Sequence, residues 1–269
     1  MTQLNRSKVN RLTLSFDQVN FAFEEGPLVA KNWSLAVPSG TTSLVGRNGV
    51  GKSTFLLLAA GRLFPQSGHV RWGGLTTLGD RTTAELTPEE IQATASVVYQ
   101  NMEFESEDPL ATLLETVWSS SQDQSRGPGW ISELVRVFEL EECLTRRIQV
   151  LSKGQMQRAI IVFSLLFGTP LVVMDEPVFA LEGRQKATAL DYLRAYAQES
   201  GRTFLYSVHE LELSQKFSEH LILMAPGKPP KLGSTKELFT RENLEEAYQT
   251  PLELLKKGEE LFRNHLMNN

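Results

Sequence analysis

The chain has 269 residues, of which 41% are hydrophobic, so it can bury the core of one large α/β domain or two small ones. Its formal net charge of −5 argues against a basic surface for nucleic acid. Its single cysteine, Cys143, excludes an internal disulfide and suits a reducing compartment. The sequence shows no secretory signal and no apolar run of about 18 residues, so we expect another chain to form any membrane channel that it serves.

The N-terminal part of the chain predicts strands and one helix. Apolar and polar side chains alternate between residues 12 and 37, and this period of two is typical of antiparallel strands. The next predicted elements are a buried strand at 42–45, a helix at 56–64, and short strands at 68–72 and 96–99.

The spacing of apolar residues changes in the middle of the chain. Residues 113–118 and 131–138 have helical spacing and are separated by a turn at 127–129. This pattern predicts a helical insert over about 102–168, placed within the α/β core.

The C-terminal part returns to alternating strands and helices. A short apolar run at 171–174 predicts a strand buried on both faces, and it is followed by an amphipathic helix at 185–200 and a strand at 203–208. Residues 221–233 predict a hairpin, and the polar segment 231–269 predicts a tail that is mainly helical.

Residues 46–54 form a phosphate-binding motif. They fit the pattern G-x-x-x-x-G-K-[ST], and the predicted strand before them and helix after them provide the context that this loop needs. Glycines let the backbone curve around an anion, and the helix N-terminus adds about half a positive charge. We expect Lys52 to reach the β- and γ-phosphates and Ser53 to ligate Mg²⁺. The predicted nucleotide-binding residues of the loop are Gly46, Arg47, Asn48, Gly49, Val50, Gly51, Lys52, Ser53 and Thr54.

Two adjacent acids, Asp175 and Glu176, follow the apolar strand at 171–174. Phosphoryl transfer needs a carboxylate that positions the metal and a group that orients the attacking water. We expect Asp175 to hold Mg²⁺, directly or through water, and Glu176 to polarise water against the γ-phosphate. The alternative is a strand that ends in two solvated acids, and the phosphate-binding motif argues against it.

The order and spacing of further motifs resemble the ATP-binding cassette proteins, the ATPase subunits of ABC transporters. Residues 151–155, with the sequence LSKGQ, are similar to the family's signature sequence and are followed, as usual, by Gln157 and Arg158. Residues 179–182 stand where the D-loop belongs. The resemblance covers residues 12 to about 226.

Three single residues also match the family. Gln100 matches the glutamine loop, where it would contact the metal or water and transmit to the helical insert. His209 matches the switch histidine, which would contact the γ-phosphate and sense its loss. Phe23 matches the aromatic residue that stacks on adenine, and Phe21, two residues earlier on the same strand face, is the competing candidate. With Lys52 and Glu176, the residues Gln100 and His209 complete the predicted catalytic set, and Ser53, Gln100 and Asp175 are the predicted metal ligands.

The resemblance implies an α/β fold with a RecA-like P-loop NTPase core and a mostly parallel sheet. It adds an antiparallel β subdomain and a helical insert subdomain to this core. The nucleotide-binding domain would span 12–230 and the helical tail 231–269. Two cassettes would close head to tail around two ATP molecules with Mg²⁺. Ser152, Gly154 and Gln155 of one subunit would then face the γ-phosphate held by the other, with Ser152 as a helix N-cap.

Two positions depart from the family pattern. The third signature residue is usually glycine, and here it is Lys153. If that position required a positive φ, lysine would cost about 1 kcal/mol. Its charge, close to a phosphate, is expected to strengthen closure. The D-loop usually ends in aspartate, and here Glu182 keeps the charge but shifts its reach by about 1.5 Å.

The resemblance also implies partners and a location. The partners would be a second ATPase subunit (a copy or a paralogue), transmembrane permease subunits and, through the permease, a substrate-binding protein, with no nucleic acid. The protein would be cytoplasmic and peripheral on the inner face of the cell membrane. We expect the helical insert to dock the permease. Its apolar residues near Gln100 are Phe104, Leu110, Leu113 and Leu114, and some of these four must belong to the core.

An importer is favoured, because the ATPase is a separate chain without a membrane span. The segment 233–248 is similar to one in iron–siderophore, haem and vitamin B12 importer ATPases, which favours metal chelates as cargo. The alternatives are another importer, an exporter ATPase subunit, a soluble cassette protein that acts on ribosomes or DNA, and a binding module without hydrolysis.

Overall fold

Two β-sheets form the framework on which the helices pack. The computed structural model describes residues 12–24, 26–74, 81–100, 102 and 105–255. In chain order, the strands are β1 (Thr13–Ala22), β2 (Leu28–Val37), β3 (Gly40–Val45), β4 (Ser67–Gly73), β5 (Arg81–Thr82), β6 (Ala95–Val98), β7 (Leu171–Met174), β8 (Thr203–Ser207), β9 (His220–Leu223) and β10 (Lys231–Ser234). The α-helices are α1 (Lys52–Ala59), α2 (Pro88–Thr94), α3 (Leu110–Ser119), α4 (Gly129–Val137), α5 (Lys153–Phe167), α6 (Gly183–Ser200), α7 (Leu211–Phe217), α8 (Thr235–Leu238) and α9 (Arg241–Tyr248).

The larger sheet is mostly parallel. Its strand order is β10-β9-β3-β8-β7-β6, and only the pair β9–β10 is antiparallel. Every residue of β3, β7 and β8 is buried, as expected when both faces of a parallel sheet are covered. The smaller sheet, β2-β1-β4-β5, is antiparallel throughout. The mostly parallel core, the antiparallel sheet and the inserted helices confirm the predicted fold class.

Strand β7 lies between two hydrophobic cores. Val172 and Met174 pack with the helices of the insert and with α6, whereas Leu171 and Val173 pack with α1 and the antiparallel sheet. Side chains alternate between the two faces of a strand, so a run of four apolar residues serves both cores at once. The strand is thereby held on both sides, and the residues that follow it start from a rigid support.

The helices of the insert share one hydrophobic core with α6 and β7, and this packing decides which apolar residues of the predicted permease dock are buried. Leu110 and Leu114 of α3 are completely buried against α4 and α5. Side chains in this position hold the insert together, so they are not available to a partner. Leu113 is partly exposed, and Phe104 lies outside the described residues.

The segment beyond residue 230 begins with a strand. β10 pairs with β9, and α9 then packs on the sheet through Leu244 and Ala247. The domain boundary between residues 230 and 231 stays a prediction. The predicted helical tail at 256–269 lies outside the described residues and stays a prediction as well. Within the described ranges, no helix is both long and apolar enough to cross a bilayer.

Candidate functional site

The loop between β3 and α1 depends on glycines for its path. Gly46, Gly49 and Gly51 all have positive φ angles, of 152°, 76° and 105°. A Cβ atom added to Gly46 would collide with the backbone carbonyl oxygen of Met224, and one added to Gly51 would lie 2.8 Å from Cγ1 of Val29. The loop is therefore closely packed from behind, and its backbone can follow this path only without side chains at these two positions.

Lys52, the first residue of α1, folds back over the loop. Its Nζ donates to the carbonyl oxygens of Gly46, at 2.9 Å, and Arg47, at 3.3 Å. Burial lowers the pKa of this ammonium below its ordinary value of 10.5, and the carboxylates of Glu176 and Asp175 oppose part of the shift. The structure therefore brings a buried cation and the two predicted acids into one electrostatic environment.

The remaining loop residues differ in exposure. Asn48 and Ser53 are exposed, Thr54 is buried and Val50 packs partly on the core of the antiparallel sheet. Arg47 points away towards the C-terminal part of the chain, where its Nη1 donates to Oε1 of Gln249 at 3.1 Å. The side chains of Asn48 and Ser53 thus remain accessible to a ligand.

Asp175 is held by the neighbouring strand β8. The Oγ of Ser207 donates to Oδ1 of Asp175 at 2.5 Å, and this Ser207 Oγ also accepts the N–H of Glu176 at 3.0 Å. The Asp175 N–H donates to the carbonyl of Val98 at 2.8 Å. The sequence analysis did not identify Ser207 as a functional residue. Its position beside Asp175 depends on the strand register, which pairs Met174 with Tyr206 and is not visible in the sequence.

Glu176 is the centre of the site. Its buried carboxylate accepts a hydrogen bond from Nε2 of Gln100, at 2.9 Å on Oε2, and contacts Nε2 of His209 through Oε1. Three of the four predicted catalytic side chains therefore meet at one point, and Lys52 is the fourth. The backbone of Glu176 has φ = 52°, a left-handed conformation that is uncommon outside glycine.

The signature segment forms the start of α5. Ser152 is the N-cap: its Oγ accepts the N–H of Gln155 at 3.2 Å, and its own N–H donates to Oε1 of Gln155 at 3.0 Å. This capping box satisfies the N–H groups of Ser152 and Gln155, and the N–H groups of Lys153 and Gly154 have no partner within the helix. Among the described residues, no hydrogen bond joins Ser152, Gly154 or Gln155 to the phosphate loop.

The two departures from the family pattern cause no strain. Lys153 is the first helical residue of α5, is exposed and is not among the described residues with positive φ, so the cost of about 1 kcal/mol for a left-handed lysine does not arise. Glu182 is exposed, and its side chain makes no capping hydrogen bond to α6.

Phe23 and Phe21 differ sharply in exposure. Phe23 is 51% exposed and Phe21 only 7%, and their rings meet edge to face with centroids 5.0 Å apart. The buried ring of Phe21 supports that of Phe23, which presents a free aromatic surface. This geometry favours Phe23 over Phe21 as the residue that stacks on a base, and that role stays a prediction.

The oxygen atoms of Asp175 and Ser53 suit a Mg²⁺ ion that binds together with a phosphate ligand. In the described part of the chain, no group of three or more His, Cys, Asp or Glu residues is placed to hold a metal ion. Mg²⁺ needs no such cage, because it binds one or two carboxylates and completes its shell with water and phosphate oxygens. Asp175 and Ser53 provide hard oxygen atoms of this kind. The amide nitrogen of Gln100 is bound to Glu176, so its role as a metal ligand stays a prediction.

A family model described as ABC transporter matches residues 30–179. The petrobactin import ATP-binding protein FatE of Bacillus anthracis is 26% identical over 221 residues, which are 81% of this chain and 86% of FatE. The nickel import ATP-binding protein NikE of Brucella abortus is 33% identical over 205 residues, 72% of this chain and 74% of NikE. The molybdenum import ATP-binding protein ModC of Brucella melitensis is 26% identical over 220 residues, 81% of this chain, and the match spans only 58% of ModC.

Solved structures share the fold. A bacterial Atm1-family ABC exporter with ATP bound superimposes with a TM-score of 0.73 at 22% identity, over 88% of this chain and 41% of the exporter. A dimeric ATP-binding cassette in a post-hydrolysis state with ADP and phosphate gives a TM-score of 0.69 at 21% identity, over 82% of this chain and 98% of that one. The match of the family model to more than half of the chain and the identity to NikE lead to one conclusion: this chain belongs to the ABC transporter family and is one of its ATPases.

Proposed function

We propose that this ATPase powers a membrane importer of metal chelates such as iron–siderophores. FatE, ModC and NikE are each named as import ATP-binding proteins, and the names of two of them specify a metal. These relatives support import over export, and they support a metal-containing cargo. The similarity of the segment 233–248 to importers of iron–siderophores, haem and vitamin B12 supports a chelate in particular.

The observation that carries the proposed chemistry is the convergence of Gln100 and His209 on the Glu176 carboxylate. When ATP binds, Lys52 exchanges its loop carbonyls for the β- and γ-phosphates. His209 turns from Glu176 to the γ-phosphate, and Glu176 accepts a hydrogen bond from the attacking water. The water oxygen attacks phosphorus as one of its protons passes to the Glu176 carboxylate and then to solvent, the bond to the β-phosphate oxygen breaks, and ADP and inorganic phosphate result.

The metal ion is assigned to Asp175 and Ser53, with Gln100 as a further ligand. Mg²⁺, when bound, neutralises phosphate charge and orients the triphosphate. The hydrogen bond from Ser207 orients the Asp175 carboxylate for this task. Phe23 stacks on adenine, and Asn48 with the backbone N–H groups of the loop binds the phosphates.

In the proposed mechanism, the closure of two cassettes around ATP is the step that drives transport. The N-terminus of α5, capped by Ser152, carries a partial positive charge, and Lys153 adds a full charge beside it. ATP drives closure because its γ-phosphate contacts one cassette through Lys52 and the other through the signature segment, which gives it higher affinity for the closed state. The dimeric cassette structure supports this arrangement at the level of the fold.

The proposed assembly places two such cassettes on the cytoplasmic face of a membrane, against permease subunits that receive cargo from a substrate-binding protein. Tyr99, next to Gln100, is 43% exposed and presents an aromatic surface beside the glutamine loop. We assign this surface, with Leu113, to the permease in place of the buried Leu110 and Leu114. The net charge of −5 supports partners other than nucleic acid.

The proposed function is tested in the source cell by replacing the gene with a Lys52→Ala or a Glu176→Gln version. We expect uptake of an iron-55-labelled siderophore to be lost in both strains, because neither variant completes the ATPase cycle. In the purified chain, Glu176→Gln should still bind ATP, while Glu142→Gln, an exposed glutamate outside the site, should hydrolyse ATP normally. If the mutant strains took up the chelate normally but lost uptake of another nutrient, the proposed cargo would be wrong. If they lost efflux of a compound instead, the proposed direction of transport would be wrong.

A further inference from the structure

The backbone of Glu176 is in a conformation that it would not adopt by itself. A left-handed φ of 52° at a residue with a side chain is unfavourable and persists only where the surroundings impose it. The conformation aims the Glu176 carboxylate, because it determines where the Cβ points. Whatever holds this backbone therefore also holds the carboxylate.

Two side chains bind the two polar groups of this backbone. The N–H of Glu176 donates to Oγ of Ser207 at 3.0 Å, and its carbonyl oxygen accepts a hydrogen bond from Nε2 of Gln157, also at 3.0 Å. The other end of the Gln157 amide is occupied as well, since its Oε1 accepts the N–H of Ala180 at 3.2 Å. One amide thus ties the first and last residues of the segment 176–180 together.

Gln157 belongs to the signature helix α5, shortly after its N-cap Ser152. The first turn of the same helix also packs on the segment 176–180, because a Cβ added to Gly154 would lie 3.0 Å from the carbonyl oxygen of Ala180. A displacement of the N-terminus of α5 is therefore transmitted to Glu176 through the Gln157 amide and this packing contact.

We infer that Gln157 is a positioning residue: it holds the Glu176 carboxylate in its reactive direction and couples it to the signature helix. The inference rests on the proposed function, in which Ser152 contacts the nucleotide of the other cassette. Occupation of that second site then sets the geometry of the first through Gln157, whose amide binds the backbone of Glu176 and Ala180. Binding both the carbonyl of Glu176 and the N–H of Ala180 requires a donor and an acceptor on one side chain, and an amide supplies both.

The purified chain tests this inference through Gln157→Met, which keeps the length but removes both hydrogen-bonding groups, and Gln157→Glu, which keeps only the acceptor for Ala180. We expect both variants to lose at least tenfold in kcat for ATP, with KM changed less than threefold. The matched control is Gln124→Met: Gln124 is exposed, and its Nε2 donates to the carbonyl of Trp118 at 3.1 Å. This control should leave kcat and KM unchanged.

A second readout separates positioning from folding. Trinitrophenyl-ATP should bind Gln157→Met and the wild type with equal Kd, and the two proteins should give the same far-UV circular dichroism. An active wild type with an equally active Gln157→Met variant would overturn the inference and leave the proposed function intact. A joint fall of kcat and nucleotide affinity would also overturn it, because the glutamine would then have only a structural role. A wild-type chain that hydrolyses no ATP would overturn the proposed function, and this inference with it.

Discussion

The hydroxyl of Ser207 donates to the Asp175 carboxylate from a distance of 2.5 Å, across two parallel strands. The same hydroxyl accepts the N–H of Glu176, so one small side chain orients both predicted acids. Both contacts lie where strands β7 and β8 end at the same edge of the sheet, which is where ligands bind in open α/β sheets.

Replacing Ser207 by alanine should therefore impair Mg²⁺-dependent turnover. A hydrogen bond to a charged group contributes about 1.5–3 kcal/mol, so we expect kcat/KM for Mg-ATP to fall about tenfold to a hundredfold. The assay is steady-state ATP hydrolysis with Mg²⁺ titrated at fixed ATP.

Ser43→Ala is the matched control for this substitution. Ser43 lies in β3, which pairs with β8, is equally buried, and its hydroxyl has no hydrogen-bond partner among the described residues. Its loss should leave ATPase activity unchanged. Equal activities of the two variants would remove Ser207 from the proposed site.

Gly46→Ala should abolish nucleotide binding and destabilise the chain. The new Cβ would meet the backbone carbonyl of Met224, which cannot move aside as a flexible side chain could, and the strain is about 1–3 kcal/mol or more. Gly127→Ala is the control, because Gly127 also has a positive φ, of 70°, but an added Cβ would meet nothing within 4 Å. We expect Gly127→Ala to lower Tm slightly, with ATP affinity unchanged in a thermal-shift titration. ATP binding retained by Gly46→Ala would contradict the assigned loop geometry.

ATP affinity should weaken as the pH rises towards 10.5, the ordinary pKa of lysine, because burial lowers the pKa of Lys52 in the free protein. A bound triphosphate stabilises the ammonium and raises this pKa again. Between the free and bound values, binding takes up a proton, and Kd should rise by up to about tenfold per pH unit. Calorimetry in buffers of different ionisation enthalpy measures the uptake. Lys52→Arg, which stays charged, is the control, and equal proton uptake by it and the wild type would contradict the assignment.

The lowered pKa of Lys52 also affects the stability of the folded chain. The folded pKa of Lys52 lies below the unfolded one, so the unfolded chain binds more protons between the two values. The contribution of Lys52 to the free energy of unfolding of the ATP-free chain therefore rises with pH through this window.

Tyr99→Glu should separate ATP hydrolysis from transport. A charge on this exposed aromatic would disturb contact with a permease while the purified chain keeps its ATPase activity. Phe64→Glu is the control, since Phe64 is also an exposed aromatic and lies outside the glutamine loop. Leu110→Glu should instead unfold the insert, because it buries a charge in the core. Normal transport by Tyr99→Glu would place the permease contact elsewhere.

Local motifs were readable in the sequence because each has a local cause. The loop at 46–54 needs glycines and a lysine in a fixed order, the strand at 171–174 needs a short apolar run, and the N-cap Ser152 needs only the residues next to it. These signals predicted the phosphate loop, the start of α5 and the identities of the two acids, whereas the mostly parallel core was expected from the family resemblance.

Contacts between distant segments were not readable in the same way. The pattern of the insert predicted its helices, but only packing decided that Leu110 and Leu114 face inwards and that Phe23, rather than Phe21, is exposed. The roles of Ser207 and Gln157 depend on strand order and on the approach of α5 to the segment 176–180.

The amino-acid sequence by itself determined the phosphate loop, the acids and the family, because side-chain chemistry and short-range spacing carry that information. The tertiary structure alone decided how Glu176 is aimed. Its left-handed backbone is held by Ser207 from β8 and Gln157 from α5, and no local preference would produce it.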